Sequence, residues 1–325
     1  MSDMQKNREE EVKINFTELE KQVDKWHAQG YKIMMVYQPI TGGSVATDFY
    51  KSMLNVLSGE IFSYMADKHK VIIKPYVSPH FPIDANRNMA VLDARERYKA
   101  DYIFFMDTDQ TFPPMTIPTL FEALLEKQKE TELCIMAGMY FAKKDPWGGV
   151  FGLYSPWDEK TEKFREQYEK LGLIKYAGPE DKVGQQLLWW KSVNFWSKNQ
   201  IFPVDVIGAG CMMMPLGVFD AIEMPFFKYL PDFQKVGKMA SEDMWFCAQL
   251  KKAGIPVWMN SKIGCGHLTQ LTVDETLNTA QRDAFYATAS PEKARKTYSQ
   301  MIDVRTEEDK AKWRNKVFGE DMGDE

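Results

Sequence analysis

Two carboxylates one residue apart, Asp107 and Asp109, follow the apolar run 101–106 and precede the prolines 113 and 114. At the mouth of a sheet such a pair can face a divalent cation and a diphosphate together, because hard cations take oxygen ligands and share them with phosphate oxygens. A polar turn is the alternative, since Asp and Thr are common turn residues. The buried strand before the pair and the prolines after it favour the site. A second acidic pair, Glu242 and Asp243, follows Ser241. Ser241 suits a helix N-cap and acids in a first turn are favoured by the helix dipole, so helix-start chemistry alone accounts for them. The functional reading makes one carboxylate a general base for an attacking hydroxyl. His267, between Gly266 and Leu268, is one of only four histidines. Imidazole on a neighbouring loop would complete a metal site begun by two Asp, although a lone histidine is commonly a hydrogen-bonded structural residue.

The surrounding periodicity shows what must position these groups. Residues 8–29 read as an amphipathic helix ending at Gly30, and 32–40 as a buried strand entering the Gly-rich loop 41–44. A helix is expected from Thr47 to Lys68, with Phe49, Met53, Val56, Leu57 and Ile61 at helical spacing, then a strand over 71–77. Strand, helix, strand predicts a parallel sheet. The unit repeats as a helix over 86–100, a strand over 101–107 apolar enough to be buried on both faces, a helix over 116–130 and a strand over 133–141. Four alternations outline a doubly wound nucleotide-binding half, in which ligands bind at the carboxyl ends of the strands. From 142 to 203 regular patterning is lost. Order resumes as a strand over 204–215, a helix from Leu216 to Ile222, a helix over 241–254, a strand over 255–260 and the segment 261–268, before a charged helical tail.

A chain of 325 residues, 44% hydrophobic and 27% charged, has enough apolar residues for a full core, which excludes disorder as its main character. Forty-one basic against forty-six acidic residues leave a net charge of −5, so no global cationic field for non-specific nucleic-acid binding exists. Cys134, Cys211, Cys247 and Cys265 form no CxxC pair, which excludes a zinc knuckle and fits reduced thiols. The charged N-terminus is unlike a signal peptide, and no run approaches the roughly 20 apolar residues that span a bilayer. A cytoplasmic protein is expected. Aromatic residues make up 13% of the chain, and five of nine tryptophans, Trp147, Trp157, Trp189, Trp190 and Trp196, fall in the unpatterned stretch.

The order of these pieces resembles that of a GT-A glycosyltransferase, most like the family-2 type. The resemblance runs over roughly residues 32–270 and rests on VYQPITGG, RNMAV, FFMDTDQTFPP, GAGCMMMP, SEDMWFCAQLKKAGIPVW and the final Gly-His. It implies an α/β fold with a Rossmann-like, mostly parallel central sheet and flanking helices. On this reading an N-terminal helix (1–30) precedes the transferase domain (31–270), followed by a helical C-terminal extension (271–325). The domain divides into a nucleotide-sugar half (31–141), an aromatic insert (142–203) and a catalytic half (204–270).

The resemblance also implies roles. Asp109, and less directly Asp107, would hold Mn2+ or Mg2+ against the diphosphate of a nucleotide sugar, with Thr108 between them and His267 as a further ligand. Pro39, Ile40 and Thr41 would surround the nucleobase and ribose, and Asp84, Arg87 and Asn88 would lie beside the sugar and phosphates. Gly208 and Gly210 would let backbone approach the sugar or acceptor. Asp243 would be the base and Glu242 would orient acceptor or base. The donor implied is a UDP-sugar, with a GDP-sugar second. The acceptor is a hydroxyl on a glycan, a small molecule or a hydroxymethylated nucleic-acid base. Inversion follows if displacement is direct.

The tryptophan-rich insert reads as an acceptor platform or water-excluding lid, or as an aromatic subcore, and these are not exclusive. Lys143, Lys144, Lys191 and Lys198 in the same region keep a polyanionic acceptor in play. A nucleotidyltransferase would need a basic residue in its phosphate loop, which TGGSVATD lacks. A catalytically silent sugar-binding protein would tolerate loss of the base, and Asp243 is present.

Overall fold

The structure, a computed structural model, describes residues 18–39, 45–78, 82–142, 149–154, 190–232, 238–268, 275–299 and 301–318. Ile40, Thr41, Lys143, Lys144, Trp147, Trp157 and Trp189 lie outside them. Residues 18–28 are helical, and the chain turns at Gly30, whose φ of +78° glycine adopts without steric cost.

The first half follows the alternating pattern. Strand β1 (Lys32–Pro39) leads to helices α1 (Thr47–Val56) and α2 (Gly59–His69), then to β2 (Val71–Ser78) and α3 (Ile83–Glu96). Strand β3 (Tyr102–Met106) is followed by the short β4 (Gln110–Thr111), α4 (Thr116–Gln128) and β5 (Ile135–Met139). The single helix expected from Thr47 to Lys68 is in fact two. Ser58 caps the second by accepting from the Ile61 N–H at 3.4 Å, and Leu57 leaves helical geometry, so a good N-cap followed by glycine outweighs the apolar periodicity that crosses the break.

Beyond residue 148 come β6 (Phe151–Tyr154), β7 (Trp190–Phe195), β8 (Ile201–Val204), β9 (Val206–Ile207) and β10 (Cys211–Pro215), then β11 (Leu230–Asp232) and β12 (Lys238–Ala240). Helix α5 (Glu242–Lys252), β13 (Val257–Gly264) and β14 (Gly266–His267) follow. The chain continues through α6 (Glu275–Thr288), α7 (Pro291–Ser299), β15 (Ile302–Asp303) and α8 (Glu307–Phe318). The strand expected over 204–215 is therefore three pieces in different places: Val204 ends an edge strand, β9 pairs with β6, and β10 enters the main sheet after Gly210. The segment expected as a helix from Leu216 to Ile222 is a 3-10 turn over Leu216–Asp220.

The main sheet has the order β2-β1-β3-β10-β5-β13-β8. Strands β1, β2, β3, β5 and β13 run one way, whereas β10 and β8 run against them. The architecture is thus α/β with a central, mostly parallel sheet and flanking helices, as expected, but with an antiparallel strand inserted between β3 and β5. Alternate side chains of β3 feed two cores: Ile103 and Phe105 pack with α3, and Tyr102, Phe104 and Met106 with α1 and α4. All five are buried, which is why this run could carry no polar residue before Asp107.

The C-terminal helices pack on β7. Phe195 is fully buried against Trp313, Tyr298 and Tyr286, with ring centroids 4.8, 5.2 and 6.2 Å away, and β15 pairs with β7 in parallel. All four cysteines are free and buried. Among the described residues no helix is long and apolar enough to cross a membrane.

Candidate active site

The parallel strands end at one edge of the sheet, and the chemistry-bearing residues collect there. Asp107 follows β3, Tyr140 follows β5, Gly210 precedes the reversed β10, His267 lies just beyond β13, and Glu242 and Asp243 open α5. Ser241 caps that helix by accepting from the Asp243 N–H at 3.2 Å, so the expected capping role is present and coexists with what the acids do next.

Arg87, on the buried face of α3, joins the two acidic motifs. Its Nη2 donates to both carboxylate oxygens of Asp107 at 3.0 Å, and its Nη1 donates to Asp243 at 2.7 Å and to Glu242. The Arg87 side chain is only 3% exposed. Burial works against its charge, but Asp107, Asp243 and Glu242 more than reverse that and hold it firmly protonated. Arg87, expected beside sugar and phosphates, is hydrogen-bonded to the acids of both motifs. Burial and the nearby charge of Glu242 suppress the ionisation of the Tyr229 hydroxyl.

Asp243 is pushed up to about 7. Desolvation raises it most, the neighbouring charges of Glu242 and Asp107 add to this, and Arg87 and the Ala209 N–H restrain the rise. A carboxylate poised near neutrality is a far better proton acceptor than an ordinary Asp.

Asp109 and His267 form a second pair. Strands β4 and β14 place Gln110 opposite His267, and the Leu268 N–H donates to the Asp109 carbonyl at 2.7 Å. The His267 Nδ1 lies 2.7 Å from the carbonyl oxygen of Phe141. A carbonyl only accepts, so Nδ1 carries the proton. That leaves Nε2 facing Asp109 Oδ2 at 3.3 Å, where a lone pair and a carboxylate oxygen meet and a proton or a cation must lie between them. This donor set, carboxylate plus imidazole with its other nitrogen anchored to backbone, can supply two ligands to a divalent cation. Asp107, with both oxygens on Arg87, is not arranged as a third ligand, and among the described residues no group of three His, Cys, Asp or Glu forms a metal cluster.

The remaining expected residues divide. Thr108 Oγ1 donates to the Pro39 carbonyl at 2.8 Å, tying the end of β1 to the acidic turn. Asp84 lies half-buried in the first turn of α3, its carbonyl accepting from Asn88 Nδ2 at 2.8 Å. The Asn88 amide also donates to the Phe227 carbonyl and accepts from the Phe227 N–H, which makes it a clasp within the fold. At Gly208 and Gly210 the close approaches come from the protein itself. A Cβ at 208 would lie 1.8 Å from the Tyr140 hydroxyl, and one at 210 would lie 1.9 Å from Gln110 Nε2 and 2.9 Å from Asp107 Oδ2. Trp196, expected in an acceptor platform, a lid or an aromatic subcore, is a core residue, 9% exposed between Phe141 and Phe151 with Nε1 donating to Glu275 at 3.4 Å, as the subcore alternative has it. Trp190 and Lys191 contribute backbone to β7, and Lys198 is exposed.

Sequence reasoning missed Tyr37, Gln110 and Tyr140. The Tyr37 hydroxyl, Arg87 Nε and both amide atoms of Gln110 are buried without a hydrogen-bond partner among the described residues. Such atoms are costly to leave unpaired, and they gather beside the acids. Gln110 was legible as a polar residue directly after the acidic pair, whereas the two tyrosines read as core.

No protein-family model matches this chain, and no curated protein matches it. Among solved structures, the A197 protein from STIV aligns over 73% of this chain and 85% of its own, at 14% identity and a TM-score of 0.41. GalNAc-T7, solved with UDP, GalNAc and Mn2+, aligns over 75% of this chain at 8% identity and a TM-score of 0.42, and the alignment covers 44% of its own length.

Proposed function

We propose that this chain is a metal-dependent glycosyltransferase of the GT-A type, moving a sugar from a nucleotide-sugar donor to an acceptor hydroxyl with inversion. The observation that carries the reading is the sharing of Arg87 by Asp107 and Asp243, because it brings the acidic turn after β3 and the start of α5 into one site. Asp109 and His267 would hold Mn2+ or Mg2+ in that site. When bound, the cation offsets the charge that develops on the departing diphosphate.

Asp243 takes the proton of the acceptor hydroxyl as its oxygen forms the new bond to the anomeric carbon. The old anomeric C–O bond breaks with its electron pair leaving on the nucleoside diphosphate. Arg87 keeps the Asp243 carboxylate in place and supplies the positive charge without which three acids could not be ionised together. Glu242, held by Arg87, orients that assembly. A carboxyl pushed up to about 7 supports an enzyme over a silent binding protein, since binding alone has no use for a proton acceptor tuned to neutrality.

The test is a donor screen. UDP-, GDP- and dTDP-sugars are incubated with Mn2+ and no acceptor, and release of the nucleoside diphosphate is followed. Metal-dependent release from one donor class supports the reading; absence of both binding and release across all three overturns it.

A further inference from the structure

Two backbone groups of Gly210 serve two different elements of the site. The Gly210 carbonyl accepts from the Asp107 N–H at 3.0 Å, and the Gly210 N–H donates to the Tyr140 hydroxyl at 3.2 Å. Asp107 in turn shares Arg87 with Asp243. Tyr140 is 6% exposed, and its hydroxyl lies directly beneath Gly208, where even a Cβ would collide with it. Its ring meets that of His267 edge to face, with centroids 5.5 Å apart and planes at 89°. One side chain therefore touches both the imidazole that faces Asp109 and the loop that hydrogen-bonds to Asp107.

We propose that Tyr140 is a positioning residue, whose hydroxyl fixes Gly210 so that the Gly210 carbonyl holds the Asp107 turn and, through Arg87, the Asp243 carboxylate, while its ring fixes His267. This rests on the glycosyltransferase reading for its consequence in turnover, but the tether itself does not. Burial keeps the phenol protonated, with Asp243 and Asp107 reinforcing this, so the oxygen accepts from Gly210 as a neutral group.

Tyr140→Phe separates the two roles, since it keeps the ring on His267 and removes only the hydroxyl. Amide hydrogen exchange is read at Asp107 and Gly210, together with Mn2+-dependent UDP binding and UDP release from a UDP-sugar. Losing one hydrogen bond is expected to speed exchange at both amides by about fivefold. UDP release should slow by at least about tenfold, the low end for a misplaced base, while UDP binding stays within about twofold. Faster exchange at Gly210 with no change at Asp107 would overturn the proposal, because the hydroxyl would then hold only its own glycine. So would turnover at the native rate, or turnover and binding falling in step. If the native protein releases no UDP from any donor, the glycosyltransferase reading fails, and the exchange at Asp107 still decides the tether. Tyr140→Leu, which also removes the ring, should weaken Mn2+-dependent UDP binding where Tyr140→Phe does not.

Discussion

Arg87 holds Asp107 through Nη2 alone, at 3.0 Å to each carboxylate oxygen, and this leaves Nη1 to reach the acids at the start of α5. Removing it strands buried charge. Arg87→Met should lower stability at pH 7 by about 3–5 kcal/mol, the range for a broken buried ion pair. Arg87 is also what restrains the rise of Asp243, so in the variant that carboxyl stays protonated to higher pH. The deficit should therefore be smaller at pH 5 than at pH 8, as urea unfolding at the two pH values would show; an equal deficit would mean that packing, not charge, is lost.

Asp243→Asn should bind donor with native affinity and lose turnover by about 10²-fold or more, the usual contribution of a general base. In the native protein turnover should rise with pH through about 7, because only the ionised carboxylate accepts a proton. Stability moves the other way. Folding raises this carboxyl above its ordinary value, so between about pH 4 and pH 7 the folded state binds more protons than the unfolded one, and stability falls as pH rises. Asn carries no such penalty, and the stability of the variant relative to the native protein should increase across that window and level off above it.

His267→Ala should weaken Mn2+ binding at least about tenfold, measured from the paramagnetic signal of free Mn2+. Asp109→Asn should do the same. Asp107→Asn, by contrast, should act mainly on stability, since its oxygens are engaged by Arg87.

Gly210→Ala places a methyl 1.9 Å from Gln110 Nε2 and 2.9 Å from Asp107 Oδ2. Overpacking of this kind typically costs about 1–3 kcal/mol. The Gln110 amide is the movable neighbour, so Gln110→Ala combined with Gly210→Ala should recover part of the loss. A double-mutant cycle by thermal unfolding measures that coupling, and strict additivity would show that Gln110 is not the obstacle.

The sequence by itself determined the local pieces. The five apolar residues of β3 could form only a strand buried on both faces, so the acidic turn had to emerge at a sheet edge. Ser241 before two acids specified a capped helix start, and the segment from Gly264 to His267 did lead back to the acidic turn. What local pattern could not decide was which pieces meet. Periodicity is blind to strand order, so nothing in residues 204–215 announced that the chain would break at Gly208–Gly210 and reverse between β3 and β5. Nor could it show that one arginine would be shared by acids 20 and more than 150 residues away. Only the tertiary structure assigned Arg87 to the acids, Gly210 to Gln110, Trp196 to the core and Tyr140 to a position under the loop. Each of those outcomes depends on burial, which gives a charge, a glycine or a phenol its meaning through neighbours that sequence spacing does not specify.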